Sequence, residues 1–312
     1  MKTTYLLHIQ NLHHSYEKKT ALRGISFSVA EGEIFGLLGP NGGGKSTTFK
    51  ILSTFLFPTS GTVSMFGFDI LKQPEEIRNR IGVVFQSPSL DGKLTVEENL
   101  RHQGHLYNLH GKKLQERINY LLERFGLTER RNDFTEKLSG GLQRRVEIAK
   151  SLLHKPLLLL LDEPSTGLDP GARITLWELL KELREKENVT ILLTTHLLEE
   201  AEKCDRLVIL DEGTLVADGS PAELKHEIGG DVLSIGTANA EELCKKLREH
   251  FGENDCGTIL DSNIRIERKN GHEFIPQLIS AFPDDITSVT LQKPTLEDVF
   301  IHKTGKHFGV QQ

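Results

Sequence analysis

One segment near the amino terminus constrains the fold more strongly than any other part of the sequence. It matches the pattern G-x-x-x-x-G-K-[ST], follows an apolar run at residues 34–38 that predicts a buried strand, and opens a predicted helix. Glycines in such a loop let backbone N–H groups turn towards an anion, and the helix N-terminus adds partial positive charge. The sequence therefore predicts a loop that binds the phosphates of a nucleoside triphosphate. The loop consists of Gly39, Pro40, Asn41, Gly42, Gly43, Gly44, Lys45, Ser46 and Thr47.

Two side chains of this loop have predicted chemical roles. Lys45 carries a mobile positive charge that can reach the β- and γ-phosphates. The hydroxyl of Ser46 is placed to ligate Mg²⁺. The loop therefore predicts binding of a nucleotide together with magnesium.

A second motif supplies the carboxylates that this chemistry requires. The apolar run at residues 157–161 predicts a buried strand, and Asp162, Glu163 and Pro164 follow it directly. We expect Asp162 to hold the metal, directly or through water, and Glu163 to act as the general base on the attacking water. The phosphate loop upstream favours this interpretation over an ordinary acidic strand end.

The spacing of apolar segments indicates an α/β domain over residues 1–220. Short apolar runs bounded by turn residues are typical of strands that are buried on both faces of a sheet. These runs lie at residues 34–38, 81–85, 157–161, 189–193 and 206–210. Residues from about 90 to 154 carry helical patterns instead, and residues 112–125 place their apolar side chains on one helix face. We therefore predict a helical subdomain inserted into the α/β domain.

The remaining residues, 221–312, predict a small accessory domain. Turn residues at 218–221 and the pair Gly229-Gly230 separate them from the preceding domain. The predicted order is β-α-β-β-α-β, with a turn at residues 261–263 and a helix at 272–282 that Pro276 weakens. This order suggests a ferredoxin-like α+β fold. The apolar positions available for its core include Val232, Leu233, Ile235, Leu243, Leu247, Ile264, Ile266, Leu278 and Ile279.

The composition excludes several classes of protein. The longest apolar run, residues 157–161, is far shorter than the roughly 20 residues of a membrane-spanning helix. The 38 basic and 44 acidic residues give a formal charge of −6, so the whole chain lacks the basic footprint of a nucleic-acid-binding protein. Its three cysteines include no closely spaced pair, which argues against a disulfide framework and against a zinc site.

Residues 138–145, with the sequence Leu-Ser-Gly-Gly-Leu-Gln-Arg-Arg, resemble the signature motif of the ATP-binding cassette (ABC) ATPases. The residues themselves predict a helix start, because Ser139 can cap the helix while Gly140 and Gly141 allow close backbone approach to an anion. The resemblance implies more, namely that the motif contacts the γ-phosphate of ATP held by the phosphate loop of a second cassette. An ordinary capped helix is the alternative, and the position about 20 residues before Asp162 favours the signature.

Further motifs occur in the order that this resemblance requires. It implies that Tyr16 stacks on adenine, that Gln86 senses the metal and the nucleophile and faces a membrane partner, and that His196 contacts the γ-phosphate. A strand tyrosine and a buried structural histidine are the alternatives for Tyr16 and His196. Residues 165–169, which end at Asp169, resemble the loop that crosses to the other subunit.

The chain departs from the family pattern at two positions. Gly43 stands where alanine is usual in the phosphate loop, and Leu142 stands where glutamine is commonest in the signature, with Gln143 one position later. Gly43 keeps every N–H donor of the loop, so we expect function to survive. Leu142 leaves the serine and both glycines of the signature intact, but its apolar side chain cannot make the polar contribution usual at its position.

The end of the chain is similar to one subfamily. Residues 294–300, Pro-Thr-Leu-Glu-Asp-Val-Phe, resemble the C-terminal stretch of the drug, antibiotic, sodium and oligosaccharide exporters of bacteria and archaea. The alternative is an ordinary helix with a capping box formed by Thr295 and Asp298. The resemblance implies that residues 221–312 steady the cassette dimer or its docking to a permease.

Together these features predict an ATP-hydrolysing subunit that uses ATP and Mg²⁺, lies peripherally on the cytoplasmic face of the cell membrane, and drives a separate transmembrane permease, with export as the favoured direction. ATP would lie between two cassettes, in a homodimer or a mixed cassette dimer. Two alternatives stay open. A soluble cassette ATPase acting on nucleic acid or the ribosome would usually carry a second cassette or a long insertion, and a phosphoryl-transferring kinase would leave the signature unexplained.

Overall fold

The computed structural model describes residues 4–17, 19–252, 257–260 and 263–309. Its contacts divide the chain into two compact units, residues 1–215 and 216–312. The division falls within a strand, β10 (Thr214–Gly219), whereas the sequence predicted a boundary after residue 220. The two units are described separately below.

The first unit contains most of the described strands and helices. The strands are β1 (Tyr5–Tyr16), β2 (Lys19–Ala30), β3 (Ile34–Leu38), β4 (Ser60–Met65), β5 (Phe68–Asp69), β6 (Ile81–Val84), β7 (Leu158–Asp162), β8 (Thr190–Thr195) and β9 (Arg206–Asp211). The helices are α1 (Lys45–Leu52), α2 (Pro74–Arg78), α3 (Val96–Leu106), α4 (Gly111–Arg124), α5 (Gly140–Ser151), α6 (Pro170–Glu187) and α7 (Leu198–Ala201), with short 3₁₀ turns at Thr128–Arg130 and Thr135–Lys137.

The five predicted strands, joined by β10, which the sequence did not predict, form one central sheet in the order β10-β9-β3-β8-β7-β6. Strand β3 pairs in parallel with β8 and β9, and β7 pairs in parallel with β6 and β8. Every residue of β3, β7 and β8 is buried, which explains why their sequences are almost continuously apolar. The carboxyl ends of β3, β7 and β8 therefore meet at one edge, and the predicted site residues follow these ends. A second sheet, with the order β2-β1-β4-β5, is antiparallel.

The helical subdomain predicted at residues 90–154 consists of α3, α4 and α5. On α4 the apolar face predicted from the sequence is buried, and Gly126 follows the helix with a φ of 64° that glycine adopts without strain. A capping box between Thr95 and Glu98 starts α3. These local signals explain where the helices begin and end.

The second unit has the predicted β-α-β-β-α-β order, with one helix before it and one after it. Its elements are α8 (Pro221–His226), β11 (Asp231–Thr237), α9 (Ala240–Phe251), β12 (Thr258–Leu260), β13 (Asn263–Arg268), α10 (Gly271–Ala281), β14 (Ile286–Gln292) and α11 (Leu296–Thr304). The strands pair antiparallel in the order β12-β13-β11-β14, as the ferredoxin-like order requires. Of the turn predicted at residues 261–263, Asp261 and Ser262 lie outside the described residues.

This unit has its own apolar core between the sheet and helices α9 and α10. Helix α10 continues through Pro276. Of the positions predicted for the core, Ile279 is wrong, because it is 47% exposed whereas Leu278 is fully buried. Adjacent helical residues differ by about 100° in direction, so both cannot face the sheet.

The final segment forms the capped helix that was the structural alternative. Thr295 and Asp298 make a capping box at the start of α11. Asp298 is also buried and accepts a hydrogen bond from Arg265 Nε at 3.2 Å. The motif at residues 294–300 therefore has a structural role within this unit.

The cysteines differ in state. Cys204 is buried and free, and burial raises the pKa of its thiol. Cys244 is disulfide-bonded, which corrects the expectation of a chain without disulfides. Spacing along the chain could not reveal this bond, because a disulfide depends on distance in the fold.

Candidate functional site

The phosphate loop connects β3 to α1 as the sequence predicted. Gly42 and Gly44 have φ angles of 83° and 106°, which favour glycine over other residues. A Cβ atom on Gly39 would lie 2.3 Å from the carbonyl oxygen of Leu210. Among the described residues, no side chain caps α1. The loop thus needs glycine for its shape and leaves a helix N-terminus available to an anion.

Lys45 is the cation at the centre of this loop. Only 4% of the residue is exposed, and its Nζ donates hydrogen bonds to the carbonyl oxygens of Gly39 at 2.7 Å and Pro40 at 3.0 Å. Burial lowers the pKa of Lys45, whereas the nearby carboxylates of Glu163 and Asp162 act in the opposite direction. The ammonium group therefore contacts the loop and lies near the predicted general base Glu163 and the predicted metal ligand Asp162.

A pocket joins the phosphate loop to Tyr16 and Glu163. Its lining consists of Tyr16, Lys19, Ala21, Asn41, Gly42, Gly44, Lys45, Ser46, Thr47 and Glu163. Tyr16 ends β1 and is 42% exposed, so its ring is accessible to a base. Gly39, Pro40 and Gly43 do not line the pocket; the carbonyl oxygen of Pro40 accepts a hydrogen bond from the N–H of Gly43. The sequence reasoning missed Lys19 and Ala21, which come from the strand paired with β1.

Asp162 is buried at the end of β7. Its Oδ1 accepts a 2.5 Å hydrogen bond from Thr194 Oγ1, and the same oxygen of Thr194 accepts the N–H of Glu163 at 2.9 Å. Burial raises the pKa of Asp162, and the Thr194 hydrogen bond opposes that rise. Thr194 therefore holds the carboxylate of Asp162 and the backbone N–H of Glu163, a role that the sequence did not indicate.

Glu163 is surrounded by the other residues predicted to be catalytic. Its Oε2 accepts hydrogen bonds from Gln86 Nε2 at 3.1 Å and from Thr166 Oγ1 at 3.2 Å. Its Oε1 lies 3.2 Å from His196 Nδ1, which is close enough for an ion pair but makes no hydrogen bond. The His196 side chain is 37% exposed, so the alternative of a fully buried structural histidine does not hold. The structure therefore brings Glu163, Gln86 and His196 into one cluster.

The oxygen atoms around this cluster suit a hard cation. The predicted metal residues offer a hydroxyl at Ser46, a carboxylate at Asp162 and an amide oxygen at Gln86, and Mg²⁺ prefers oxygen ligands of this kind. Among the described residues, no three or more His, Cys, Asp or Glu side chains are grouped as a metal site. Magnesium here would take few protein ligands together with phosphate oxygens, as is usual for nucleotide sites.

The signature residues form a second cluster away from the pocket lining. Ser139 caps α5, and its Oγ accepts the N–H of Leu142 at 3.4 Å. Asp169 caps α6 in the same way, through the N–H of Ala172 at 2.9 Å. A Cβ on Gly141 would lie 2.8 Å from that of Ala172, so the two helix N-termini are adjacent. Ser139 and Gly140 are exposed, and none of these residues lines the pocket of its own chain.

Leu142 and Gln143, where the signature departs from the family pattern, both contact other residues of the same chain. Leu142 packs against the apolar core. Gln143 Nε2 donates to the carbonyl oxygen of Thr135 at 2.9 Å. The exposed part of the signature is therefore formed by the serine and the glycines.

A buried carboxylate connects the cluster to the segment that carries Asp169. Glu200, on α7, accepts hydrogen bonds from Thr195 Oγ1 at 2.6 Å, from Ser165 Oγ, and from Trp177 Nε1 at 3.4 Å. It thus joins the residue before His196 to the start of the 165–169 loop. The sequence offered no signal for this role, because Glu200 stands among other glutamates at residues 199–202.

A second cleft, separate from the nucleotide pocket, is lined in part by Phe85, the residue before Gln86. Its lining includes Phe55, Phe85, Ser89, Glu147 and Lys150. Phe55 is 73% exposed, and Phe57 close to it in sequence is 54% exposed. No helix within the described residues is long and apolar enough to span a membrane. An exposed apolar surface beside a cleft is typical of a site for another protein.

Three family models match the chain. The model described as ABC transporter matches residues 22–166, and the model described as ATP-binding protein DrrA1-3-like, C-terminal domain, matches residues 219–304. A model described as AAA domain, putative AbiEii toxin, matches residues 135–202. The first two models cover the two units in the order in which they occur.

Curated relatives extend over nearly the whole chain. The linearmycin resistance ATP-binding protein LnrL of Bacillus subtilis is 37% identical over 96% of this chain and 99% of its own length. The daunorubicin resistance ATP-binding protein DrrA2 of Streptomyces coeruleorubidus is 35% identical over 96% and 95%. The Nod factor export ATP-binding protein I of Ralstonia nicotianae is 43% identical over 75% and 73%.

Solved structures resemble the larger part of the chain. The cbiO1 protein of Clostridium perfringens, part of an ABC transporter complex, has a TM-score of 0.67 and 29% identity over 80% of this chain and 96% of its own. A dimeric post-hydrolysis state of the ATP-binding cassette MJ0796 with ADP and Pi has a TM-score of 0.63 and 28% identity over 69% and 98%.

Proposed function

The chain belongs to the ATP-binding subunits of ABC transporters, and we propose that it hydrolyses Mg-ATP between two cassettes to drive a separate transmembrane permease for export. ATP hydrolysis and the powering of a transporter are properties of the family. The assignment of roles to individual residues, the use of magnesium and the export direction are our proposals.

One observation supports the residue roles above all others: the pocket that joins Lys45 to Tyr16 also contains Glu163, and Glu163 contacts Gln86 and His196. In the proposal Tyr16 stacks on adenine, and the loop N–H groups and Lys45 hold the phosphates. Glu163 accepts a proton from the attacking water, while Gln86 and His196 orient that water and the γ-phosphate. General-base catalysis of this kind contributes about 10²–10⁴ to a rate.

Magnesium fits the same arrangement. Ser46, Asp162 and Gln86 would hold the ion, and bound magnesium would neutralise charge on the β- and γ-phosphates. The hydrogen bond from Thr194 occupies one oxygen of Asp162, so the other oxygen would be available to hold the ion or a water bound to it. Asp162 would then hold the metal, and Glu163 beside it would accept the proton.

The second cluster supports a dimer. Ser139 and Gly140 are exposed on a helix N-terminus that attracts anions, yet they do not line the pocket of their own chain. A second copy would bring them to the γ-phosphate, with Asp169 at the same interface. Each site would then combine Lys45, Ser46 and Glu163 of one copy with Ser139, Gly140 and Gly141 of the other.

The cleft beside Gln86 supports docking of the permease. Its lining combines the aromatic side chains of Phe55 and Phe85 with the charged side chains of Glu147 and Lys150, a combination that suits an amphipathic segment of a partner. Binding there would place the chain on the cytoplasmic face of the membrane. Relatives named for resistance to linearmycin and daunorubicin and for Nod factor export support an export direction.

For the C-terminal residues we propose a separate domain, 221–312, that steadies the dimer or its docking. Its own apolar core and its own four-stranded sheet support independent folding. The match of residues 219–304 to a model for the C-terminal domain of DrrA-like proteins supports its association with resistance transporters.

The substitution Glu163→Gln tests the proposal. The amide keeps the size and the hydrogen-bond acceptor of the side chain but cannot act as a base, so ATP binding should persist while turnover falls about 10²-fold or more. Light scattering should then show an ATP-bound dimer. Glu199→Gln is the matched control, because Glu199 is an exposed carboxylate on α7 near His196.

Three outcomes would contradict the proposal. A monomer of Glu163→Gln at saturating Mg-ATP would contradict the two-cassette site. Turnover equal to that of the control would remove Glu163 from the mechanism. Co-purification of the wild-type protein with nucleic acid or ribosomes rather than with membranes would favour the alternative function.

A further inference from the structure

Arg144 is a buried arginine on the signature helix that contacts both sides of Glu163. Its Nη2 donates to the carbonyl oxygen of Asp162 at 3.0 Å, and its Nε donates to that of Pro164 at 2.9 Å. Its Nη1 donates to the carbonyl oxygen of Phe85, the residue before Gln86, at 2.8 Å. One guanidinium group therefore holds the backbone that carries Glu163 and the backbone that carries Gln86.

The geometry of these contacts requires arginine. A guanidinium offers five N–H donors in a rigid planar fork, whereas a lysine ammonium offers three donors from a single nitrogen and cannot meet the four acceptors at Phe85, Glu147, Asp162 and Pro164 together. The contacts matter for Glu163, because this residue has a φ of 43°, an unfavourable angle for a residue other than glycine. Surrounding structure must hold such a conformation, and the bonds to Asp162 and Pro164 do so on each side.

Glu147 extends the connection from Arg144 to the cleft. Its Oε2 accepts from Arg144 Nη1 at 3.0 Å, and both side chains are nearly fully buried. Its Oε1 accepts the N–H of Ser89 at 2.6 Å, and Lys150 Nζ donates to the carbonyl oxygen of Ser89 at 2.8 Å. Ser89, Glu147 and Lys150 all line the cleft. A continuous set of hydrogen bonds thus runs from Ser89 in the cleft lining through the buried Glu147 and Arg144 side chains to the backbone on each side of Glu163.

We propose that Arg144 is a positioning residue that holds Glu163 and Gln86 in their relative places, and that Glu147 couples this arrangement to the occupant of the cleft. The second half rests on the proposed function, since it takes the permease as the occupant. If the permease moved Ser89, the hydrogen bonds of Glu147 and Arg144 would transmit that movement to the backbone of Glu163. Hydrolysis would then depend on the state of the permease.

A purely structural ion pair makes a different prediction. Neither Arg144 nor the groups that it contacts, at Phe85, Asp162, Pro164 and Glu147, line the nucleotide pocket. Loss of the fork should therefore change the rate of hydrolysis much more than the affinity for ATP. A residue that only stabilises the fold would lower both together as the protein unfolds.

The first experiment compares Arg144→Lys with Arg145→Lys in the full chain. Arg145 is the adjacent residue on α5, and within the described residues it makes no hydrogen bond or ion pair, so it controls for loss of an arginine from this helix. We expect kcat of Arg144→Lys to fall about 10²-fold, the loss typical of a misplacement near 1 Å, with Kd for ATP within twofold of wild type. Thermal melting with and without ATP shows that the variant is folded.

The second experiment asks whether Arg144 acts through Glu163. Adding Arg144→Lys to Glu163→Gln should give no further loss in single-turnover hydrolysis, because the group being positioned is already absent. If the double variant instead loses rate by the product of the two single-variant factors, Arg144 acts independently of Glu163 and the positioning role is overturned. An Arg144→Lys protein with kcat within twofold of wild type, or one that loses ATP affinity in parallel with kcat, would overturn it as well.

The third experiment examines the coupling to the cleft. Glu147→Gln places an N–H₂ against either Ser89 N–H or the Arg144 guanidinium, so one link is broken at nearly constant size. Co-reconstituted with its permease, this variant should lose stimulation by transport substrate while its unstimulated rate falls less than that of Arg144→Lys. Full stimulation would overturn the coupling. If Glu163→Gln itself retained turnover, the proposed function would fail, which is a separate result.

Discussion

The substitution Thr194→Val removes the hydroxyl that contacts both the carboxylate of Asp162 and the backbone N–H of Glu163. Valine keeps the β-branched shape that a buried strand favours, so only the two hydrogen bonds are lost. These are the 2.5 Å bond to Asp162 Oδ1 and the 2.9 Å bond from the N–H of Glu163. Thr194 is fully buried, so water cannot easily replace them.

The magnitude follows from the two bonds. A hydrogen bond to a charged group contributes about 1.5–3 kcal/mol, and a buried donor without a partner costs about 1–3 kcal/mol. We therefore expect a loss of roughly 3 kcal/mol in the free energy of unfolding. At about 2–4 °C per kcal/mol for a unit of this size, Tm should fall by roughly 6–12 °C.

The pH dependence of activity should change as well. Burial already raises the pKa of Asp162, and the Thr194 hydrogen bond partly offsets this rise, so Thr194→Val should raise that pKa further. Because magnesium requires the ionised carboxylate, the acid limb of the ATPase profile should move to higher pH. The raised pKa of Asp162 also affects stability. The protonated Asp162 carboxyl favours the native state at low pH, and this stabilisation is lost as pH rises through the native pKa of Asp162.

Thr190→Val is the matched control on the same strand. Thr190 is equally buried, and its Oγ1 accepts a single hydrogen bond, from the N–H of Gly32 at 2.9 Å, far from the carboxylates. It should lower Tm by less and leave the pH profile unchanged. Calorimetry and initial ATPase rates between pH 5 and 8 measure both effects. If the pH profile of the ATPase rate shifts equally in the two variants, or does not shift in Thr194→Val, the Thr194 hydroxyl does not set the pKa of Asp162.

Three further predictions concern other parts of the chain. Tyr16→Ala should weaken ATP binding by about 1–3 kcal/mol in titration calorimetry while Tyr16→Phe costs little, and equal losses would point to a hydroxyl contact instead of stacking. Gly43→Ala should lower the free energy of unfolding by about 1–3 kcal/mol, since its Cβ would lie 2.8 Å from the carbonyl oxygen of Leu210, whereas Gly140→Ala has open space and should melt like wild type. Truncation after Ser220 should leave a folded cassette that binds Mg-ATP but dimerises or couples poorly; a chain that cannot fold would show that the C-terminal residues belong to the cassette core.

Features that depend on residues close together along the chain could be predicted from the sequence. The phosphate loop between β3 and α1, the fully buried strands, and the capped starts of α3, α5 and α11 all rest on local chemistry or on the period of a helix or strand. The carboxylates Asp162 and Glu163 were predictable for the same reason, since a buried parallel strand delivers the residues after it to one edge of the sheet. The resemblance to ABC ATPases, which relatives over nearly the whole chain support, added Gln86 and His196.

The contacts from distant parts of the chain that hold these residues in place became visible in the three-dimensional structure. Thr194 is 32 residues from Asp162, and Arg144 is 59 residues from Phe85, so no local pattern connects them. Their partners follow from the strand order, which places β8 beside β7, and from the packing of α5 against the strand ends. The same applies to Glu200, which looks like an ordinary helical glutamate in sequence but is buried among three donors. The exposure of Ile279 and the bonded state of Cys244 also depended on packing and distance, because a hydrogen bond, a buried side chain or a disulfide requires that groups meet in space, whatever their separation along the chain.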